Sequence, residues 1–264
     1  MQHERFASNT SFDTILKGDT VLKRGDKGPA VTAVQQALED MGFPMTLLKD
    51  GIGFSGVDSV FGGQTETALK NFQVHACKKH DGLSVNGVVD APTLRALIAL
   101  TPAPGRKAWD EGQPNHAPVS LWNGNPAKKL VVIVVQDEHR TFLYDAHGKC
   151  TGIFPNAQGA AAHSTDSGLK KVRTKLGEAA AKATGKELWN VERAFGKRIV
   201  DLCWESGKSH GEELHGTYDY QTMGTDVSHG CVRHYNEDII KVFDAVTVGD
   251  LVAIVPSIDD PRLR

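Results

Sequence analysis

Residues 213–239 read ELHGTYDYQTMGTDVSHGCVRHYNEDI, the densest run of reactive side chains in the 264-residue chain. Histidines 215, 229 and 234, Cys231, Arg233 and glycines 216, 224 and 230 fall between a strand-like segment, RIVDLCW at 198–204, and a segment that reads as a helix. Asn236 can cap that helix, and Glu237 and Asp238 suit its positive end. Ile239, Ile240, Val242, Phe243 and Val246 give it a buried face. Gly249 and Asp250 then turn the chain into a last strand, LVAIV. A thiol is a good acyl-transfer nucleophile only as thiolate, and a neighbouring imidazolium lowers its pKa from about 8.5 toward neutrality. His215 and Cys231 supply such a pair. Gly230 leaves room for a substrate backbone, the N–H groups around Cys231 suit an oxyanion, and Arg233 offers a cation for a carboxylate.

Other readings of these residues are weaker. His215, His229, Cys231 and His234 could in principle surround a zinc ion, but His210 and His215 are five residues apart, not the four of a HExxH helix. His75, Cys77 and His80 fall on different faces of one helix. Cys150 and Cys203 lie in apolar strands and read as small core residues. The four cysteines include no Cys-x-x-Cys pair, so no metal and no cofactor is expected.

Outward from this stretch, composition sets the frame. A length of 264 residues suits about two domains. Hydrophobic content of 40% and charged content of 23% match globular usage, which excludes disordered and collagen-like classes. Thirty basic against 32 acidic residues leave a net charge of −2, so nucleic acid is not an expected partner. The longest aliphatic run, Leu130 to Val135, is far short of the roughly 20 residues that span a bilayer. The first thirty residues lack the apolar core of a secretory signal, which implies a trimmed signal or a different export route.

The expected layout is a flexible arm (1–19), a small helical domain (20–100), a Pro/Gly-rich linker (101–127) and a second domain (128–264). Prolines 102, 104, 114, 118 and 126 interrupt any helix in the linker. Before it, Val31, Val34, Leu38 and Met41, then Ala68, Leu69, Phe72 and Ala76, then Leu94, Leu97 and Ile98 predict three helices packed as a bundle. The phrases DSVFGGQTETAL and VNGVVDAPTLRAL use one turn-and-cap arrangement twice. After the linker, LVVIVV, RTFLYD and KCTGIF read as strands. Residues 168–196 read as helix from the spacing of Leu169, Val172, Leu176, Ala180, Leu188, Val191 and Phe195, with Gly185 a break point. The fold class is therefore α+β in two domains: a three-helix bundle, and a mainly β, mixed-sheet domain with a helical insertion.

HGT followed by SHGCVR and a helix opening on Asn-x-Asp resembles the L,D-transpeptidase catalytic domain of the YkuD-like fold, over roughly residues 128–256. The usual Thr-Pro-x-Gly segment is replaced by RTKLG, for which a helical lid is one explanation. LKRGDKGPAVTAVQQAL, TETALKNFQ and GLSVNGVVDAPTLRAL resemble the three-helix peptidoglycan-binding domain, over about residues 20–100. The resemblance implies Cys231 as nucleophile and His215 as base, with the Gly216 carbonyl orienting the imidazole and Gly230 beside the thiol. Arg233, Ser228 and His229 would shape the substrate cleft. It also implies peptidoglycan stem peptides and the sacculus as partners, and a place in the periplasm or cell envelope. The product would be a cross-link, an exchanged D-amino acid or an L,D-carboxypeptidase product. The alternatives are an inactive wall-binding protein, or an antibacterial effector exported by secretion machinery.

Overall fold

The computed structural model describes residues 3–7, 9–49, 52–110 and 117–263, with 46–49 and 52–55 described by their backbone alone. Residues 111–116 of the expected linker lie outside the described residues. The chain divides into two compact units, Met1–His116 and Ala117–Arg264.

In the first unit, α1 (Glu4–Ala7), α2 (Ser11–Lys17), α3 (Pro29–Asp40), α4 (Gly63–Cys77) and α5 (Ala91–Leu100) accompany a hairpin of β1 (Thr46–Lys49) and β2 (Ile52–Ser55). The three predicted helices are present, but the unit is larger than a three-helix bundle. The arm expected at 1–19 is instead helical, and Phe6, Phe12 and Ile15 are buried with Val31, Val34, Leu38, Leu69, Phe72, Leu94 and Leu97. Helices of four and seven residues are too short to show a periodic apolar stripe, so tertiary burial stabilises them. The two half-similar phrases share a physical device. Gln35 on α3 donates to Asp58 Oδ1, the Val60 carbonyl and Thr65 Oγ1, and its carbonyl accepts the Asp58 and Ser59 N–H groups. Gln73 on α4 repeats this on Asn86 Oδ1, the Val88 carbonyl and Thr93 Oγ1, and accepts the Asn86 and Gly87 N–H groups. Each buried amide thus holds a turn whose polar groups would otherwise lie unpaired.

The second unit begins inside the expected linker: β3 (Leu121–Trp122) and the first residues of β4 (Asn125–Val135) pair there, and Trp122 is buried. Next come β5 (Arg140–Tyr144), β6 (Cys150–Gly159), β7 (Gly168–Leu176), α6 (Glu178–Trp189), β8 (Ile199–Trp204) and β9 (Ser209–Thr217). The chain finishes with β10 (Asp226–Ser228), β11 (Val232–Tyr235), α7 (Asn236–Ala245) and β12 (Leu251–Val255). The order β6-β11-β9-β8-β7-β12-β4-β5 returns to β6, so the expected mixed sheet closes into a barrel. Within the ring, β11–β9 and β12–β4 are parallel and the other pairings antiparallel. Closure removes the free edges that an open sheet exposes.

The helix expected over 168–196 is half wrong. Residues 168–176 form β7, between β8 and β12, and only 178–189 are helical. Leu169, Val172 and Leu176 fit the helical spacing and not a strict strand alternation, and the ladder wins because β8 and β12 on either side both need a partner. Leu188 and Val191, which belong to the same helical spacing, are exposed. The helix also runs through Gly185, where an added Cβ would sit 2.5 Å from the Val191 carbonyl oxygen. Glycine therefore serves close packing there.

Candidate active site

Leu214 on β9 and Val232 on β11 sit in one apolar core with Ile239 and Val242 of α7. Side chains alternate along a strand, so His215 and Arg233, paired in register, face the opposite side. That side is roofed by Ala181 of α6, Phe195 and Ile199, a small apolar cluster, and the Phe195 ring meets the His215 ring edge-on at 5.0 Å. His215 is consequently buried. Cys231 directly precedes β11, one position before the Val232–Leu214 rung and beside Glu213. The thiol is half-buried, with Sγ 3.9 Å from the Gly211 carbonyl oxygen.

The roof is fixed from below by two glycines and an amide. Gly196 has φ +61°, and a Cβ there would lie 2.3 Å from Asn236 Oδ1 and 2.4 Å from the Gly216 carbonyl carbon. Asn236 Oδ1 accepts the Lys197 N–H at 2.9 Å, while its Nδ2 donates to the Thr217 carbonyl at 2.9 Å and to Tyr220 Oη at 3.3 Å. Asn236 is therefore not the cap of α7, which opens behind Tyr235 without a side-chain cap bond. It ties together the segments before and after His215.

His215 Nδ1 lies 2.7 Å from the Gly216 carbonyl oxygen. A carbonyl only accepts, so Nδ1 carries the proton and Nε2 keeps its lone pair. Burial pushes the imidazole down to about 4, and the Arg233 cation acts in the same direction. Burial pushes the Cys231 thiol up to about 12, with the Glu213 and Glu212 carboxylates adding to it. Burial thus disfavours the charged form of each group, which runs against the ion pair expected from sequence.

The nucleophile loop is tightly held. Ser228 Oγ donates to the Cys231 carbonyl at 2.5 Å and accepts the Gly230 N–H at 3.2 Å. Thr165 Oγ1 donates to the Gly230 carbonyl at 2.8 Å and accepts the Gly159 N–H at 3.0 Å. Gly230 has φ +109°, a backbone conformation that favours glycine. His229 is exposed, its ring between those of His163 at 5.0 Å and Trp189 at 5.6 Å.

The residues considered for zinc do not converge. His234 alternates with Arg233 along β11, faces away from His215, and its Nε2 is 2.8 Å from Thr141 Oγ1. Elsewhere Asp166, His210 and Glu212 bring polar atoms within 4.8 Å of one another. The buried Lys170 ammonium sits 2.8 Å from Glu212 and His210 Nε2 is 3.0 Å from Asp166, so these polar atoms already have partners within the group. Cys150 and Cys203 are buried free thiols, and burial pushes Cys150 up to about 11.

Residues 129–254 match the family model of the L,D-transpeptidase catalytic domain (YkuD), and residues 27–97 that of the "Putative peptidoglycan binding domain". The chain carries an L,D-transpeptidase catalytic domain preceded by a peptidoglycan-binding domain. The "Putative L,D-transpeptidase YqjB" of Bacillus subtilis (strain 168) is 24% identical over 148 residues, 55% of this chain and 81% of that protein. The crystal structure of the L,D-transpeptidase from Xylanimonas cellulosilytica DSM 15894 aligns with a TM-score of 0.51 at 21% identity, covering 89% of this chain and 98% of that one. That likeness is one of fold.

Three residues around His215 and the Cys231 loop of the L,D-transpeptidase domain carry little signal in sequence. Phe195 looks like one more helical apolar residue, although Gly196 behind it signals a sharp bend. Thr165 lies far from the motif in sequence and carries no local signal. Glu213 occupies the strand position two before His215, which the period-two rule alone places on the histidine's face.

Proposed function

We propose that the second unit is a cysteine-dependent acyltransferase acting on peptidoglycan stem peptides, with Cys231 as nucleophile and His215 as base. The observation that carries this reading is the His215 Nδ1 contact with the Gly216 carbonyl, which leaves Nε2 as the acceptor on the face shared with Cys231. Because both groups rest neutral, proton transfer from Sγ to Nε2 accompanies attack on the amide carbonyl between the diamino acid's L-centre and the terminal D-alanine. His215 returns the proton to the departing amine, and a thioester remains on Cys231. An amine then gives a cross-link or an exchanged residue, and water gives carboxypeptidation. Arg233 is the cation for a substrate carboxylate; its buried Nε has no hydrogen-bond partner among the described residues. Ser228, Gly230 and Thr165 hold the loop in its reactive shape, and His229 lines the cleft mouth. The first domain, about residues 20–100 with the preceding helices, holds the enzyme on the sacculus, and the linker joins it to the catalytic domain. Both domains suit work in the cell envelope or periplasm. No described helix is long and apolar enough to cross a membrane.

The test is covalent. Wild-type protein incubated with meropenem or iodoacetamide should gain an adduct mapped to Cys231 by peptide mass, with iodoacetamide also labelling the exposed Cys77, and Cys231→Ala should gain none at that position and form no stem-peptide product. A wild-type protein that neither forms an adduct at Cys231 nor processes muropeptides would overturn the reading.

A further inference from the structure

Glu213 stands beside the thiol without a structural task of its own. Its carboxyl has no hydrogen-bond or ion-pair partner among the described residues. The candidate cation, Arg173 on β7, is already committed: its Nε and Nη2 reach both oxygens of Asp201 at 2.6 and 3.1 Å, and its Nη1 reaches Ser209 Oγ at 3.1 Å. Asp201 on β8 pairs in register with Glu213, so a second carboxylate faces the first. Arg233 is one rung further on, beside His215. Glu212, the other neighbour on β9, turns away to Lys170.

This placement opposes the chemistry of the free enzyme. A carboxylate beside a thiol disfavours thiolate, and Glu213 does so here. The cost disappears when a cation enters between them. We propose that the Glu213 carboxylate receives the ammonium group of the amine that resolves the acyl-Cys231 thioester, and takes its first proton. This rests on the acyl-transfer reading above and names a residue that favours amine over water as acceptor.

The step balances. The ammonium gives one proton to Glu213, becoming a neutral amine, and Glu213 becomes the carboxylic acid. Burial and Asp201 lift its affinity for protons, to a pKa of about 7, so it can hold one briefly. The amine nitrogen bonds to the thioester carbonyl carbon, the C–S bond breaks, and the second nitrogen proton passes through His215 Nε2 to the departing sulfur. Amide and neutral thiol result, and Glu213 releases its proton to solvent. Arg233, one rung away, sits where it can take the carboxylate of an amino-acid acceptor, so the Glu213–Arg233 spacing suits a zwitterion.

The full-length protein, acylated with a tetrapeptide stem donor, is offered two amines at pH 7: D-methionine, which is mainly ammonium, and hydroxylamine, which is mainly uncharged. In Glu213→Gln the ratio of D-methionine product to hydroxamate should fall about tenfold or more, the scale of one hydrogen bond to a charged group. Glu213→Asp should restore part of it. The iodoacetamide profile of Cys231 in Glu213→Gln should also move to lower pH, which a purely structural role would not produce. Equal loss of both products, or an unchanged ratio, overturns the role of Glu213 while the acyl-enzyme reading stands. Failure of the wild-type protein to form any acyl-enzyme overturns both.

Discussion

Gly196→Ala tests whether the roof over His215 is set by backbone contact. The substitution adds two costs. The first is conformational, since φ +61° costs an alanine about 1–2 kcal/mol. The second is steric. The new Cβ would sit 2.3 Å from Asn236 Oδ1 and 2.4 Å from the Gly216 carbonyl carbon, and relieving such overlap in a packed interior costs about 1–3 kcal/mol. Gly249→Ala is the control, because that glycine also has positive φ, +98°, but nothing lies within 4 Å of an added Cβ. Gly196→Ala should therefore destabilise the second unit by about 2–5 kcal/mol and Gly249→Ala by about 1–2 kcal/mol. At about 2–4 °C per kcal/mol for a unit of this size, calorimetry separates them. Equal melting shifts in the two variants would refute the close-contact argument, whatever the absolute size.

Other expectations follow the same physics. Since the thiol is held at about 12, iodoacetamide labelling of wild-type Cys231 should rise about tenfold per pH unit between pH 8 and 10, and His215→Ala should abolish turnover without shifting that profile upward; a plateau below pH 8 would restore the ion pair. His215 and His234 are pushed down to about 4 and about 3, so the unfolded chain binds more protons below pH 6.5. Stability should thus fall with pH from 6.5 to 4, by up to about 1.4 kcal/mol per unit per histidine, and less steeply in His215→Asn in urea titrations. Gln73→Leu leaves the Gly87 N–H and the Val88 carbonyl without their partner, and should lower the first unit's stability by about 2–4 kcal/mol while leaving meropenem acylation intact. A fragment spanning residues 3–100 should sediment with purified sacculi and melt cooperatively, whereas one starting at residue 20 should melt earlier because it lacks Phe6, Phe12 and Ile15; equal melting would show that α1 and α2 add nothing.

The parts legible in sequence were those whose signal is local. LVVIVV and LVAIV announce strands by β-branching, and the helices over 29–40, 63–77 and 91–100 announce themselves by apolar spacing. Cys231 and His215 stand out by residue type. What could not be read depends on distant partners. Leu169, Val172 and Leu176 satisfy helix spacing, and only the presence of β8 and β12 on either side makes them strand. Phe6 and Phe12 look like arm residues until a core receives them. The environment of His215 depends on distant partners too: residue type marks the imidazole, but burial under the Phe195 ring disfavours its charged form. Closure of the sheet depends on β12 lying between β4 and β7, a relation no local pattern encodes.

That closing relation also fixes when the enzyme can exist. β12, residues 251–255, pairs in parallel with β4, residues 125–135, so more than a hundred residues must be in place before the barrel can shut. Parallel partners need a crossover and cannot zip from a turn, and β9, which carries His215, and β11, which Cys231 directly precedes, are parallel as well. Both contacts are among the costliest in loop entropy and are expected late in folding. A chain still being made thus carries its cysteine as an ordinary thiol, without roof or oriented base. The proposed acyl transfer, which needs the oriented imidazole and not the thiol alone, is therefore a property of the closed barrel.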